Sequence, residues 1–254
     1  MEQEKKKQSR PRRKRRDTLR PIEFLYRQIY DISSNVVLGY EADVIVNDKK
    51  LGMLSYDKMN SVAQRSELTC RLGKWQITEA CEALIRAEKY GRHIHRIFIT
   101  LSAKHISKPN FVQDFQKILT KYEISGTMFC VQINEIETRS PSKQMQVNIS
   151  ALKELGVKIA MINFGAESSS LLKLSNANID YLKLDPAFAE DILNDEKVAD
   201  VTESIIEMCE KLGVSVIADG VDTKEHLDLM KKMRCFLVQG NYFSRYDREE
   251  EAIV

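Results

Sequence analysis

The side chains with chemistry to offer stand where the apolar runs of this chain end. Glu41, Thr100 to Ser102, Gln132 to Glu135, Lys183 to Asp185, Asp219 to Asp222 and the pair Gln239 and Gly240 each close such a run. Carboxylates and amides brought together offer hard oxygen ligands, the kind a magnesium or manganese ion takes. One run departs from the pattern. Lys158-Ile159-Ala160-Met161-Ile162-Asn163-Phe164-Gly165 ends in Ile162 and Asn163, where an enzyme of this architecture would want acids. The set as a whole is polar and charged, which suggests a site, yet it is short of carboxylates for a metal cluster.

Such residues converge only if strands hold them at one level. Residues 22–32 and 36–46 read as strands around a Ser-Ser-Asn turn, from their aromatic and β-branched content. Residues 54–63 and 67–90 read as helices. In the second, Leu68, Leu72, Trp75, Ile77, Ala80, Cys81, Leu84 and Ala87 recur at helical spacing, and Gly91 suits its end. An alternation follows, with strands expected at 94–101, 128–133, 157–164, 179–184, 214–218 and 235–238. Helices are expected between them at 109–122, 143–155, 168–174, 198–212 and 224–233. Apolar strands alternating with amphipathic helices imply parallel βαβ units covered on both faces. This many units in one domain imply a closed α/β barrel with its site at the carboxyl ends of the strands.

Composition bounds the function classes. The hydrophobic fraction of 43% in 254 residues is enough for a large core. No apolar run approaches the ~18 residues of a membrane-spanning helix, and no secretory leader opens the chain. The five cysteines (Cys70, Cys81, Cys130, Cys209, Cys235) are odd in number and contain no C-x-x-C pair. They indicate neither a disulfide framework nor a zinc site, and fit a reducing, cytoplasmic setting. His93 and His95 form an H-x-H pair without a nearby acid and read as solvated loop residues. The net charge of +2 hides an asymmetry. Residues 1–20 hold ten Lys or Arg against Glu2, Glu4 and Asp17, a net of +7, which leaves the other 234 residues at −5. That segment cannot bury enough surface to order itself and is expected to be a disordered basic tail or linker. Its run Arg12-Arg13-Lys14-Arg15-Arg16 would adhere to a membrane surface or another polyanion. Residues 247–254 read as an acidic, solvated end.

Over residues 21–246 the strand ends resemble the EAL domain, the bacterial cyclic di-GMP phosphodiesterase family. Gly39-Tyr40-Glu41-Ala42-Asp43 is similar to the segment that names the family, with Asp43 in place of leucine. Ile99-Thr100-Leu101-Ser102-Ala103 resembles its Asn-Leu-Ser segment, and Gln132-Ile133-Asn134-Glu135 its Glu-x-Thr-Glu. Ile162-Asn163-Phe164-Gly165 stands at its Asp-Asp-Phe-Gly, and Asp180 to Asp185 at its lysine strand. Asp219-Gly220-Val221-Asp222-Thr223 stands at its Glu-Gly-Val-Glu-Thr, and Gln239 to Arg245 resembles its closing segment. Seven such matches in order carry the assignment.

The resemblance implies a TIM-like (β/α)8 barrel of the EAL type with one strand antiparallel. It also implies roles. Glu41, Gln132, Asn163 and Asp219 stand at metal-ligand positions, Lys183 and Glu135 at catalytic ones, and Ser102, Asp185, Gln239 and Arg245 at ligand-binding ones. The departures are Thr100 for asparagine, Gln132 for glutamate, Ile162 and Asn163 for paired aspartates, and Ile45 for a phosphate-binding arginine. A two-metal site needs several negative charges, so the catalytic and metal positions are expected to be vestigial and Lys183 to pair with Glu41 or Asp219. The expected function is a degenerate signalling domain without phosphodiesterase activity and without a metal cofactor. It would bind a protein partner, weakly sense cyclic di-GMP, or both, with homodimerisation a further expectation from the family. The alternative is an active phosphodiesterase with an altered Mg or Mn site. For Asp43 two readings stand, an outward-facing residue or an interface contact.

Overall fold

The computed structural model describes residues 21–48, 52–55, 67–138, 140–166, 174 and 177–253. The basic tail lies outside the described residues, as do most of the helices expected at 54–63 and 168–174. Among the described residues ten strands are formed: β1 (Ile22–Asp31), β2 (Val36–Asp48), β3 (Gly52–Ser55), β4 (Ile97–Thr100), β5 (Phe129–Asn134), β6 (Lys158–Phe164), β7 (Tyr181–Leu184), β8 (Ser215–Ala218), β9 (Leu237–Val238) and β10 (Asp247–Arg248). Because β1 pairs with both β2 and β9, eight of them close into a barrel, β1-β2-β4-β5-β6-β7-β8-β9. From β2 round to β9 the pairings are parallel, whereas β1 runs antiparallel to both neighbours. The expected (β/α)8 barrel with one antiparallel strand is the fold observed.

Helices follow the strands: α1 (Leu68–Lys89), α2 (Ala103–Ile106), α3 (Phe111–Tyr122), α4 (Glu135–Thr138), α5 (Lys143–Glu154), α6 (Pro186–Asp191), α7 (Glu196–Lys211), α8 (Lys224–Lys232) and α9 (Glu249–Ala252). Side-chain oxygens of Ser102, Ser142, Asp185, Asp195 and Thr223 accept hydrogen bonds from backbone N–H groups at the starts of α2, α5, α6, α7 and α8, which satisfies donors left over at each first turn. Two expectations are corrected. Leu54 and Ser55, expected to begin a helix, pair with Val46 and Ile45 in β3. Residues 247–253 are a solvated end only in part: Glu250 and Glu251 are exposed, and the others are not. Asp247 and Arg248 pair with Tyr26 and Leu25, Glu249 forms an ion pair with Arg86, and Ile253 is buried in the core. The acidic composition is used to meet a basic residue on α1.

Alternation along a strand sends successive side chains to opposite faces. Outward residues pack under the helices in two clusters, one around Phe24, Ala42, Ile77 and Phe129, the other around Leu182, Val216 and Val238. Inside the barrel a third cluster takes one residue from each of the eight strands: Ile29, Leu38, Phe98, Cys130, Ala160, Tyr181, Ile217 and Leu237. The two small side chains, Cys130 and Ala160, stand on adjacent strands, so Phe98 and Tyr181 meet at 5.7 Å across the space they leave. This apolar layer fills the barrel and forms the floor on which any site must rest.

Packing of α2 on α1 buries an ionisable ring. His105 fills the space left by Gly73, where an added Cβ would lie 2.1 Å from the imidazole Nδ1. The ring meets Phe111 edge-on at 4.9 Å, and Nδ1 has no hydrogen-bond partner among the described residues. Burial, then the Lys74 ammonium, pushes its pKa down to about 4. An unfolded chain titrates this group near 6.5 and so binds the proton first as pH falls. The stability contributed by the neutral ring is complete above pH ~6.5 and is lost below it, reaching a loss of about 2 kcal/mol by pH 5. Urea denaturation at pH 7 and pH 5 should show a loss of that order, and His105→Asn should remove most of the difference. An unchanged pH dependence in the variant would refute this account.

Candidate functional site

One step further along each strand, the inward-facing residues change character. Next above the apolar layer stand Thr100, Gln132, Ile162, Lys183, Asp219 and Gln239, each two positions beyond the layer residue of its own strand. β2 contributes Glu41, three positions beyond Leu38, because the β1–β2 register shifts between Ile29 and Tyr30. β1 runs the other way, so its residue at this level is Arg27, two positions before Ile29 and paired in register with Glu41. The second layer therefore also takes one residue from each strand. It holds two acids, two bases, three neutral polar side chains and one isoleucine.

The charges are joined through Lys183. Its buried Nζ lies 2.9 and 2.8 Å from Oε1 and Oε2 of Glu41 and 2.9 Å from Oδ2 of Asp219. The hydroxyl of Tyr246 donates to Glu41 Oε2 at 2.8 Å. Asp219 Oδ1 accepts from its neighbour Gly220 N at 2.8 Å and faces Arg27 NH1 at 3.5 Å. All four carboxylate oxygens thus accept from a protein donor. Burial alone would raise the Glu41 pKa, but the Lys183 ammonium and then the Tyr246 hydroxyl hold it well below the usual carboxylate range. Burial would lower that of Lys183, but Asp219 and Glu41 together hold it above the ordinary lysine value. Both are fully charged at neutral pH, and Lys183 pairs with both acids rather than with one.

The neutral members complete the layer. Thr100 Oγ1 donates to Gln132 Oε1 at 3.0 Å. The Gln132 amide also helps to hold Glu41 ionised, and both amide atoms of Gln239 are buried without a hydrogen-bond partner among the described residues. Gly240 is needed for close approach rather than for backbone freedom, since a Cβ there would lie 2.0 Å from the Val221 carbonyl oxygen. Ile162 is buried, at 8% exposure, and brings no donor atom. Register is lost between Met161 and Phe164, so Ile162 and Asn163 ride on a bulge. Asn163 has a φ of 57°, a left-handed conformation that asparagine tolerates better than most side chains. Gly165, with a φ of 91°, donates its N–H to Glu135 Oε2 at 3.1 Å. Glu135 thus anchors the loop that follows Asn163.

Other expected residues have structural tasks. Ser102 Oγ accepts from His105 N and Asp185 Oδ1 from Ala187 N, both as helix caps. Arg245 is exposed. Asp43 lies on the same face of β2 as Glu41, and its charge acts on the Tyr246 hydroxyl, so it looks toward the barrel mouth. His93 and His95 are exposed, with their rings 5.0 Å apart. Sequence reasoning missed Arg27 and Tyr246. An arginine within the strand Phe24-Leu25-Tyr26-Arg27-Gln28-Ile29 was the available signal for the first.

The family model for the EAL domain matches residues 12–246. The chain belongs to the EAL domain family. Among curated relatives, the oxygen sensor protein DosP of Escherichia coli K12 is 25% identical over 88% of this chain, and the cyclic di-GMP phosphodiesterase NbdA of Pseudomonas aeruginosa is 27% identical over 88%. The signaling protein YkoW of Bacillus subtilis is 31% identical over 72%. This EAL chain spans only 28%, 29% and 23% of the lengths of those three relatives. Among solved structures, the PaMucR phosphodiesterase in complex with c-di-GMP superposes with a TM-score of 0.83 at 21% identity, covering 91% of this chain and 94% of that one. The manganese and cy-diGMP complex of Klebsiella pneumoniae BlrP1 gives 0.78 at 23% identity, covering 91% and 57%. Those likenesses establish the fold.

The residues at the mouth do not fit a pair of divalent cations. Two metals held roughly 3.5–4 Å apart need several negative charges around them. Here two carboxylates face two fixed cations and every carboxylate oxygen is already engaged. Among the described residues no group of three His, Cys, Asp or Glu is placed to hold a metal. The network is structural in a sense that mutagenesis can read. Lys183→Met leaves two carboxylates facing each other in a buried site, so the unfolding free energy in urea at pH 7 should fall by roughly 3–5 kcal/mol. Adding Glu41→Gln to that variant should recover part of the loss. A fall below about 1 kcal/mol would be the signature of a solvated pair and would contradict the geometry.

Proposed function

We propose that this EAL domain is a degenerate signalling module that does not hydrolyse cyclic di-GMP and acts by binding, to a protein partner, weakly to cyclic di-GMP, or to both. The observation that carries the reading is the charge balance of the second layer. Glu41 and Asp219 serve Lys183, Arg27 and Tyr246 as ion-pair and hydrogen-bond partners, and Ile162 offers nothing to a cation. In this reading Glu41, Gln132, Asn163 and Asp219 are vestigial metal ligands, Lys183 and Glu135 are vestigial catalytic groups, and no Mg or Mn cofactor is held.

Weak nucleotide sensing would fall to Ser102, Asp185, Gln239 and Arg245. The unpartnered amide of Gln239 supports this for one of them. Ser102 and Asp185 each already spend one acceptor on a helix cap. Ile45, buried on the same face of β2 as Glu41, replaces a forked guanidinium contact with a hydrocarbon, and losing such a contact costs a few kcal/mol. The proposed setting is the cytoplasm, with self-association and with a basic tail that adheres to a membrane surface or another polyanion. No described helix is long and apolar enough to cross a membrane.

Calorimetric titration of cyclic di-GMP into the whole chain, with and without millimolar Mg or Mn, tests the proposal when the products are separated by chromatography. No linear dinucleotide should form under either condition. Turnover that requires metal and is abolished by Glu41→Ala would establish the alternative, an active enzyme with an altered site. The double variant Ile162→Asp, Asn163→Asp should remain inactive, because Thr100, Gln132 and Ile45 are unchanged. Robust hydrolysis by it would show that those three positions do not limit the chemistry.

A further inference from the structure

Arg27 is the one charged member of the second layer that the strand-end motifs do not account for. Its side chain is only 11% exposed, and the guanidinium reaches five groups from one place. NH1 faces Asp219 Oδ1 at 3.5 Å, and NH2 faces Asp222 Oδ1 at 3.8 Å and donates to Asn241 Oδ1 at 3.4 Å. Nε donates to the Ser244 carbonyl at 3.3 Å, and the Tyr246 ring centroid lies 5.1 Å from the guanidinium carbon. The neighbouring Gln28 N–H donates to Ser244 Oγ at 3.0 Å, so β1 grips the Asn241–Tyr246 segment at two points. That segment in turn lays the Tyr246 hydroxyl on Glu41.

We propose that Arg27 is a built-in counter-cation that stands, electrostatically, in the place of a divalent metal at Asp219 and fastens the Asn241–Tyr246 segment over Glu41. A guanidinium keeps its charge at any pH the protein meets, and its planar fork serves several acceptors at once. A metal ion on Asp219 would sit about 2 Å from the carboxylate oxygen, within close range of this fixed positive charge and in competition with it. The ring of Tyr246 over the guanidinium adds a cation–π contact that a metal would not make. Arg27 is a positioning residue in this account. The inference rests on the reading that no metal pair is held, and its test reads metal binding rather than turnover.

Mn2+ binding to the whole chain is followed by the loss of the free-ion paramagnetic resonance signal, with circular dichroism to verify folding. The wild type should show no saturable binding at millimolar Mn2+. Arg27→Gln, which removes one positive charge from the shared site, should bind at least about tenfold more tightly than the wild type. Arg27→Lys, which keeps the charge, should show no gain. Tight binding by the wild type overturns both this inference and the proposed function. A folded Arg27→Gln with no gain overturns the role of Arg27 alone. Should Arg27→Gln fail to fold, Arg27→Lys decides, because binding by that variant shows that the charge does not exclude the metal.

Discussion

Everything at the barrel mouth depends on one ammonium group. Lys183 Nζ sits between Glu41 and Asp219, three side chains from strands far apart in sequence, all below a tenth exposed. Taking such charges out of water is expensive, and the expense is offset only when the geometry is close and the remaining lone pairs are met. Here they are met, by Tyr246, Gly220 and Arg27. The same contacts fix the level of β2, β7 and the residue after β8 relative to one another. A charge network built this way specifies one arrangement of the mouth, because any shift would strand a buried charge.

The chemistry that the network permits follows from its balance. Two divalent ions held close together on oxygen ligands need several negative charges around them. Here the two acids of the layer are balanced by two bases. The neutral polar members, Thr100, Gln132 and Gln239, preserve hydrogen-bonding capacity without adding charge, and the buried amide of Gln239 retains both donor and acceptor. In the proposed reading, the mouth keeps polar groups for a ligand while its two acids are spent on Lys183, Arg27 and Tyr246.

The barrel was legible in the sequence because strands covered on both faces must be apolar throughout, and such runs stand out between amphipathic helices. Their ends were less legible. Ile94 and Cys235 extend the apolar runs ahead of β4 and β9, yet both are buried in irregular segments before the strands begin. The four- to six-residue helices α2, α4 and α6 are too short to show a period, and their caps, Ser102 and Asp185, read instead as ligand contacts. Glu41, Gln132, Lys183, Asp219 and Gln239 were visible because parallel strands deliver their mouth residues at carboxyl ends. Arg27 was hidden for the converse reason: β1 is antiparallel, so its mouth residue lies in mid-strand. Tyr246 reaches Glu41 from a segment that has no period to betray it.

With Phe98, Tyr181 and their neighbours filling the barrel, the polar layer is open on one side only. A ligand that needs Glu41 Oε2 must displace the Tyr246 hydroxyl, which already donates to it at 2.8 Å. The hydrogen bond that breaks is subtracted from the affinity such a ligand gains, and a ligand that leaves Glu41 alone is spared that loss.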